Sequence, residues 1–161
     1  MQAIWKLIDQ IADKMKFIGA GLLVIMMALT CVDVVGRLFR HPVFGSIELM
    51  SLMGAVAVAM ALPYTHAVRG HIGVEIVIDK LPRTLRLVIE VITQLLSLVL
   101  FGIVTWKMFE YSIKMMESGE VSMNLELPEY LIIGVVGLGF VMFTLTIIKG
   151  IAETAGELRR K

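Results

Sequence analysis

A single cysteine, Cys31, excludes an intramolecular disulfide and any cysteine-built metal site. The chain has only three histidines, His41, His66 and His71, and no carboxylate–histidine cluster with metal-ligand spacing. It has no nucleophile–base pair, glycine-rich phosphate loop or Walker motif. These absences argue against an enzyme and against any bound cofactor or metal. The formal net charge is +1 and no basic block is long enough to suggest nucleic-acid binding. Charge is missing altogether from four long stretches, and these decide the class of protein.

Hydrophobic residues make up 58% of the chain, against about half in a soluble domain. The mean hydropathy is +0.86, and the excess is gathered into runs. Uncharged residues extend over Phe17–Val32, Leu49–Val68, Val91–Trp106 and Tyr130–Ile148. A helix needs roughly 20 residues to cross a hydrocarbon core about 30 Å thick. The two shorter runs reach that length by admitting Asp33 and Arg37 in one case and Glu90 in the other. The expected fold is an all-α integral membrane protein with spans at 17–39, 47–67, 86–108 and 128–149. All 161 residues form one membrane domain, without repeats or a soluble module.

Lysine and arginine set the expected orientation, because cytoplasmic loops carry the excess. Eleven lie at the N-terminus, between spans 2 and 3, and at the C-terminus, against four on the opposite side. Both termini are therefore expected in the cytoplasm. His41 is then external while His66 and His71 are internal, so no two imidazoles share the depth a haem needs. A lipoprotein reading of "MALTC" fails, since Thr30 suits the position before a lipidated cysteine poorly. A cleaved leader is not expected either, because Asp9 and Asp13 interrupt the basic N-terminal region.

The ends of the spans carry structure of their own. Ile4, Ile8, Ile11 and Met15 recur at helical spacing over residues 2–16, with Trp5 and Ala12 alongside. That pattern predicts a helix in the headgroup plane, or else a continuation of span 1 into the cytoplasm. Lys107, Glu110 and Lys114 extend the helical pattern of span 3 to about residue 116, giving a rod of roughly 50 Å. Pro128 is placed to start span 4. The connector 69–85, "RGHIGVEIVIDKLPR" with two more residues, reads as a short amphipathic interfacial helix ended by Pro82. Its His71, Glu75, Asp79 and Arg83 fall on one polar stripe opposite Val74, Val77, Ile78 and Leu81.

Charges inside a span need partners. Asp33 and Arg37 stand at i, i+4 in the favourable order for a helical ion pair, and Arg37 has Glu48 as a second candidate across the turn. Glu90 lies one turn inside span 3, where it can snorkel or meet Arg86. Ser51, Ala55 and Ala59 form a small-residue stripe on span 2, suited to close helix approach within the chain or to docking of a second subunit.

The run "GRLFRHPVFGSIELMSLMGAVAVAMALPYTHAVRGHIGVEIVIDKLP" resembles the small, Q-type (DctQ-like) membrane subunit of tripartite ATP-independent periplasmic (TRAP) transporters. The likeness rests on Arg37 near the end of span 1, Glu48 opening a glycine- and alanine-rich span 2, then His71, Val74, Glu75 and the Leu81-Pro82 pair. It implies a scaffold subunit of a secondary transporter in the bacterial inner membrane, usually sodium-driven and usually taking up organic acids. The implied partners are a large multi-span M-type subunit on a separate chain, a periplasmic P-type solute-binding protein, and membrane lipid. It implies no substrate site on this subunit. Asp33, Arg37, Glu48, Ser51, Ala55, Ala59, His71 and Glu75 are instead candidates for structural or subunit-interface roles. The competing readings are a self-contained proton-coupled exporter acting as a dimer, with Glu48 or Glu90 as coupling carboxylate, and a membrane-embedded assembly factor.

Overall fold

The computed structural model describes residues 2–68 and 83–159, with side chains over 5–68 and 85–156. Four α-helices follow one another: α1 (Gln2–Leu38), α2 (Ser46–Ala67), α3 (Arg83–Ser118) and α4 (Glu129–Arg159). All four are long and apolar enough to cross a membrane. Among the described residues the only β feature is an isolated bridge between Val121 and Pro128.

Residues 2–38 are one unbroken helix, so the N-terminal segment continues the first span instead of forming a separate headgroup-plane element. Nothing between Gln2 and Ile18 breaks a helix, since that stretch lacks both proline and glycine. Of the expected apolar stripe Ile8 and Met15, with Ala12 alongside, are buried within the protein, while Ile11 is exposed. The third helix matches the long rod anticipated from Lys107, Glu110 and Lys114. The fourth begins directly after Pro128 and runs ten residues past the expected end at 149. Of the connector, residues 69–82, with His71 and Glu75, lie outside the described residues; Arg83 already opens α3.

The helices lie side by side in the order α1–α2–α4–α3. Extensive packing joins α1 to α2, α2 to α4 and α4 to α3, while α1 and α4 touch over a short stretch. The loop end of this layer holds the α1–α2 turn and the α3–α4 loop. The terminal end holds both chain termini. Packing uses opposite sides of α2. Ala57 and Ala61 meet Gly19 of α1, whereas Ala59 meets Gly139 of α4. A Cβ on Gly19 would lie 3.0 Å from the Ala57 carbonyl oxygen, and one on Gly139 would lie 2.7 Å from that of Ala59. Pro63, fully buried in α2, has no N–H to give the Ala59 carbonyl four residues earlier. Gly139 brings its Cα hydrogens to that bare oxygen, the recurring weak C–H···O contact of close helix pairs.

Rings join the remaining seams. His66 meets Phe143 edge-on at 5.5 Å, Phe143 meets Phe101 edge-on at 4.6 Å, and Phe101 stacks on Phe140 at 5.9 Å. These spacings lie in the range where aromatic pairs attract beyond their area alone. Several hydroxyls within the helices are satisfied locally, as hydrocarbon demands. Thr30, Ser51, Thr65, Thr93, Thr105 and Thr144 each donate to the carbonyl four residues back. Thr105 and Thr144 also meet across the α3–α4 seam at 3.3 Å.

Candidate functional site

The densest polar construction lies at the loop end, where two carboxylates organise two loops. Helix α1 ends in a Schellman motif with Arg40 in the left-handed region at φ 59°. The His41 amide donates to the Gly36 carbonyl at 2.8 Å and the Arg40 amide to that of Arg37 at 3.1 Å. The turn folds back so closely that a side chain at Gly36 would strike the His41 carbonyl. Asp33, buried inside this turn, accepts from Arg37 Nε at 2.8 Å and from the Val43 amide at 2.9 Å. The predicted i, i+4 pair therefore forms, and its acid also pins the backbone ten residues ahead.

Glu48 turns away from Arg37. Its carboxylate accepts from the Asn124 amide at 3.0 Å and the Leu125 amide at 3.3 Å, both in the α3–α4 loop. Within the same loop Ser122 Oγ accepts from the Leu127 amide at 3.1 Å. Leu125 packs on Gly45, where a Cβ would lie 2.6 Å from the leucine side chain. Gly45 sits at φ 68°, so a side chain there meets both backbone strain and a filled space. Asp33 thus holds the first loop, Glu48 holds the second, and Gly45 with Leu125 clasps the two together. As the first-turn acid of α2, Glu48 also lies at the favourable pole of the helix dipole.

A smaller network holds the terminal end. Lys149 on α4 reaches Asp9 on α1 at 2.5 and 2.6 Å and Glu153 at 3.6 Å. Lys16 pairs with Asp13 and lies 3.8 Å from the centre of the Tyr64 ring, a cation–π contact. Glu90 accepts from Thr154 and from Gln94, each at 3.3 Å, joining α3 to α4.

The small-residue stripe divides. Ala59 is buried on Gly139, whereas Ser51 and Ala55 face outward from α2. Sequence reasoning missed Gly139, Gly19, Gly45 and Ser122, and also the Asp9–Lys149 pair. The four-residue spacing of Ala59 and Pro63 was a readable signal of a bare carbonyl, but its partner lies eighty positions away. Among the described residues no three His, Cys, Asp or Glu side chains gather as a metal site would require. Asp33 and Glu48 are both committed to backbone amides, an arrangement that braces the two loops.

These features define a multi-pass α-helical membrane protein. Over residues 26–156 the chain matches the family model described as tripartite ATP-independent periplasmic transporters, DctQ component, and it belongs to that family. It is a component of a transporter. A comparison with curated proteins returned no match.

Proposed function

We propose that this chain is the scaffold subunit of a sodium-gradient-driven importer of an organic acid in the bacterial inner membrane. It braces a large transport subunit and helps seat a periplasmic solute-binding protein. The observation that carries this reading is the open layer. Apolar side chains stay exposed along α1 (Leu23, Val24, Met27) and along α3 (Leu96, Val99, Ile103), so much of the greasy surface is available to other helices or lipid. A self-sufficient transporter needs polar groups converging on a path; here Asp33 and Glu48 hold loops. The basic bias supports cytoplasmic termini, which turns the braced loop end towards the periplasm. The exporter alternative draws no support from Glu48, whose carboxylate is occupied by the Asn124 and Leu125 amides.

Co-expression with a large multi-span M-type subunit tests the reading. A tagged copy of this chain should retain that subunit through purification, and sodium-driven organic-acid uptake in vesicles should need both chains and the binding protein. Uptake by the large subunit and binding protein alone, at the full rate, would remove the scaffold role. Proton-driven efflux by this chain alone would establish the exporter.

A further inference from the structure

Helices that touch side by side lie at the same level along the layer, so their contacts form a ruler. One row of that ruler runs through Gly19 against Ala57, Ala59 against Gly139, and Gly137 against Phe109. Along this row α2 and α4 are near the middles of their uncharged runs, Leu49–Val68 and Tyr130–Ile148. The outer helices are not. The middle of Phe17–Val32 in α1 lies towards the loop end of the row, and the middle of Val91–Trp106 in α3 lies towards the terminal end. At 1.5 Å per residue the two middles are offset by about 20 Å. At roughly 9 Å per interhelical spacing α1 and α3 are at most about 27 Å apart, and closer where α1 also touches α4.

We propose that the bilayer meets this protein along an oblique belt, with the helix axes inclined by about 35° or more to the membrane normal along the row of helices. Upright seating would put Lys107, whose side chain is 66% exposed, near the bilayer midplane, because it lies between Thr105, which meets Thr144, and Phe109, whose ring meets Gly137. Its partner Glu110, bonded to Lys107 at 2.7 Å and to Lys114 at 2.8 Å, would be drawn into hydrocarbon as well. Exposed charge at that depth is strongly disfavoured. The oblique belt carries this triad to the headgroup boundary, where a lysine stem can snorkel. It also explains the helix lengths. The 37 residues of α1 and 36 of α3 make rods of about 55 Å, too long for an upright span. Inclined by about 35°, each covers about 45 Å, the thickness of a bilayer with its headgroups. The ligand of this surface is lipid.

Cys31 and Trp106 read the angle directly, because both are exposed. Along the layer Cys31 is about 18 Å nearer the loop end than Trp106. The oblique belt nevertheless places both at the same depth, about 8–9 Å from the midplane. A spin label is placed on native Cys31 and, in Cys31→Ser, on Trp106→Cys, with the full chain in phosphatidylcholine vesicles. Depth is read from the ratio of oxygen to nickel-chelate relaxation. Depths equal to within about 5 Å are expected, and a label at position 106 deeper by 10 Å or more overturns the proposal. Label-free quenching of Trp106 by brominated lipids, in Trp5→Phe, is a second reading. Bromines near the headgroups should quench it better than bromines at the chain ends, and the reverse order sinks the oblique belt.

Discussion

Gly139 of α4 rests on the Ala59 carbonyl of α2, the oxygen that Pro63 leaves without its helical donor. The seam between the two hairpins is closed where one backbone has a free acceptor and the other has no side chain. Gly139→Val should therefore separate α2 from α4, costing about 1–3 kcal/mol as overpacking usually does. Thermal unfolding in detergent should show a lower midpoint, while Gly21→Val, at an open position, leaves it unchanged. Equal midpoints for the two variants would contradict the seam.

Glu48 acts at a distance from its own helix. In Glu48→Ala the amides of Asn124 and Leu125 lose their acceptor, so their hydrogen exchange should quicken while the helical amides of α2 keep their protection. Glu48→Gln, which keeps an acceptor oxygen but loses the charge, should fall between. Unchanged exchange in the alanine variant would mean the loop holds itself.

Asp33 and Arg37 form a pair of unequal members. The Asp33 side chain is 5% exposed and also bonded to the Val43 amide; that of Arg37 is 53% exposed. Asp33→Ala should lower the unfolding midpoint more than Arg37→Ala, because it strands a backbone donor as well as a cation. A larger loss with Arg37→Ala would make the ion pair, not the amide, the main constraint.

Gly45→Ala combines a left-handed backbone with a blocked space against Leu125. It should destabilise the loop end by about 1 kcal/mol or more, the cost of a side chain in that backbone region. Gly45→Ala with Leu125→Ala relieves the steric part alone. The double variant should recover some stability but not all, and full recovery would show that the backbone carries no strain.

Reporter fusions test the orientation drawn from the basic bias. Fusions at residue 161 and near residue 75 should report cytoplasm, and fusions near residue 120 should report periplasm. A periplasmic signal near residue 75 would overturn the four-span arrangement.

Fold class and helix positions were legible because hydrocarbon imposes one simple rule, an uncharged run of sufficient length. The Asp33–Arg37 pair was legible because both residues lie on one helix at fixed spacing. Glu48 was a visible anomaly, an acid at a span boundary, but its partners are the Asn124 and Leu125 amides, and amides carry no sequence identity. The pairing of α2 with α4 was hidden for a similar reason. Glycines recur in α4 at 134, 137 and 139, and periodicity alone cannot tell which of them meets Ala59. The amphipathic N-terminus was ambiguous because an apolar stripe buried on protein and one buried in lipid look alike in sequence; only the burial of Ile8, Ala12 and Met15 separates them.

The order α1–α2–α4–α3 has a bearing on how the chain is made. During synthesis each helix of the first hairpin finds its neighbour as soon as both have left the ribosome, and the same holds for the second. The α2–α4 seam must wait until Gly139 has emerged and can meet the Ala59 carbonyl. The contact that joins the two hairpins is thus the one the chain completes last.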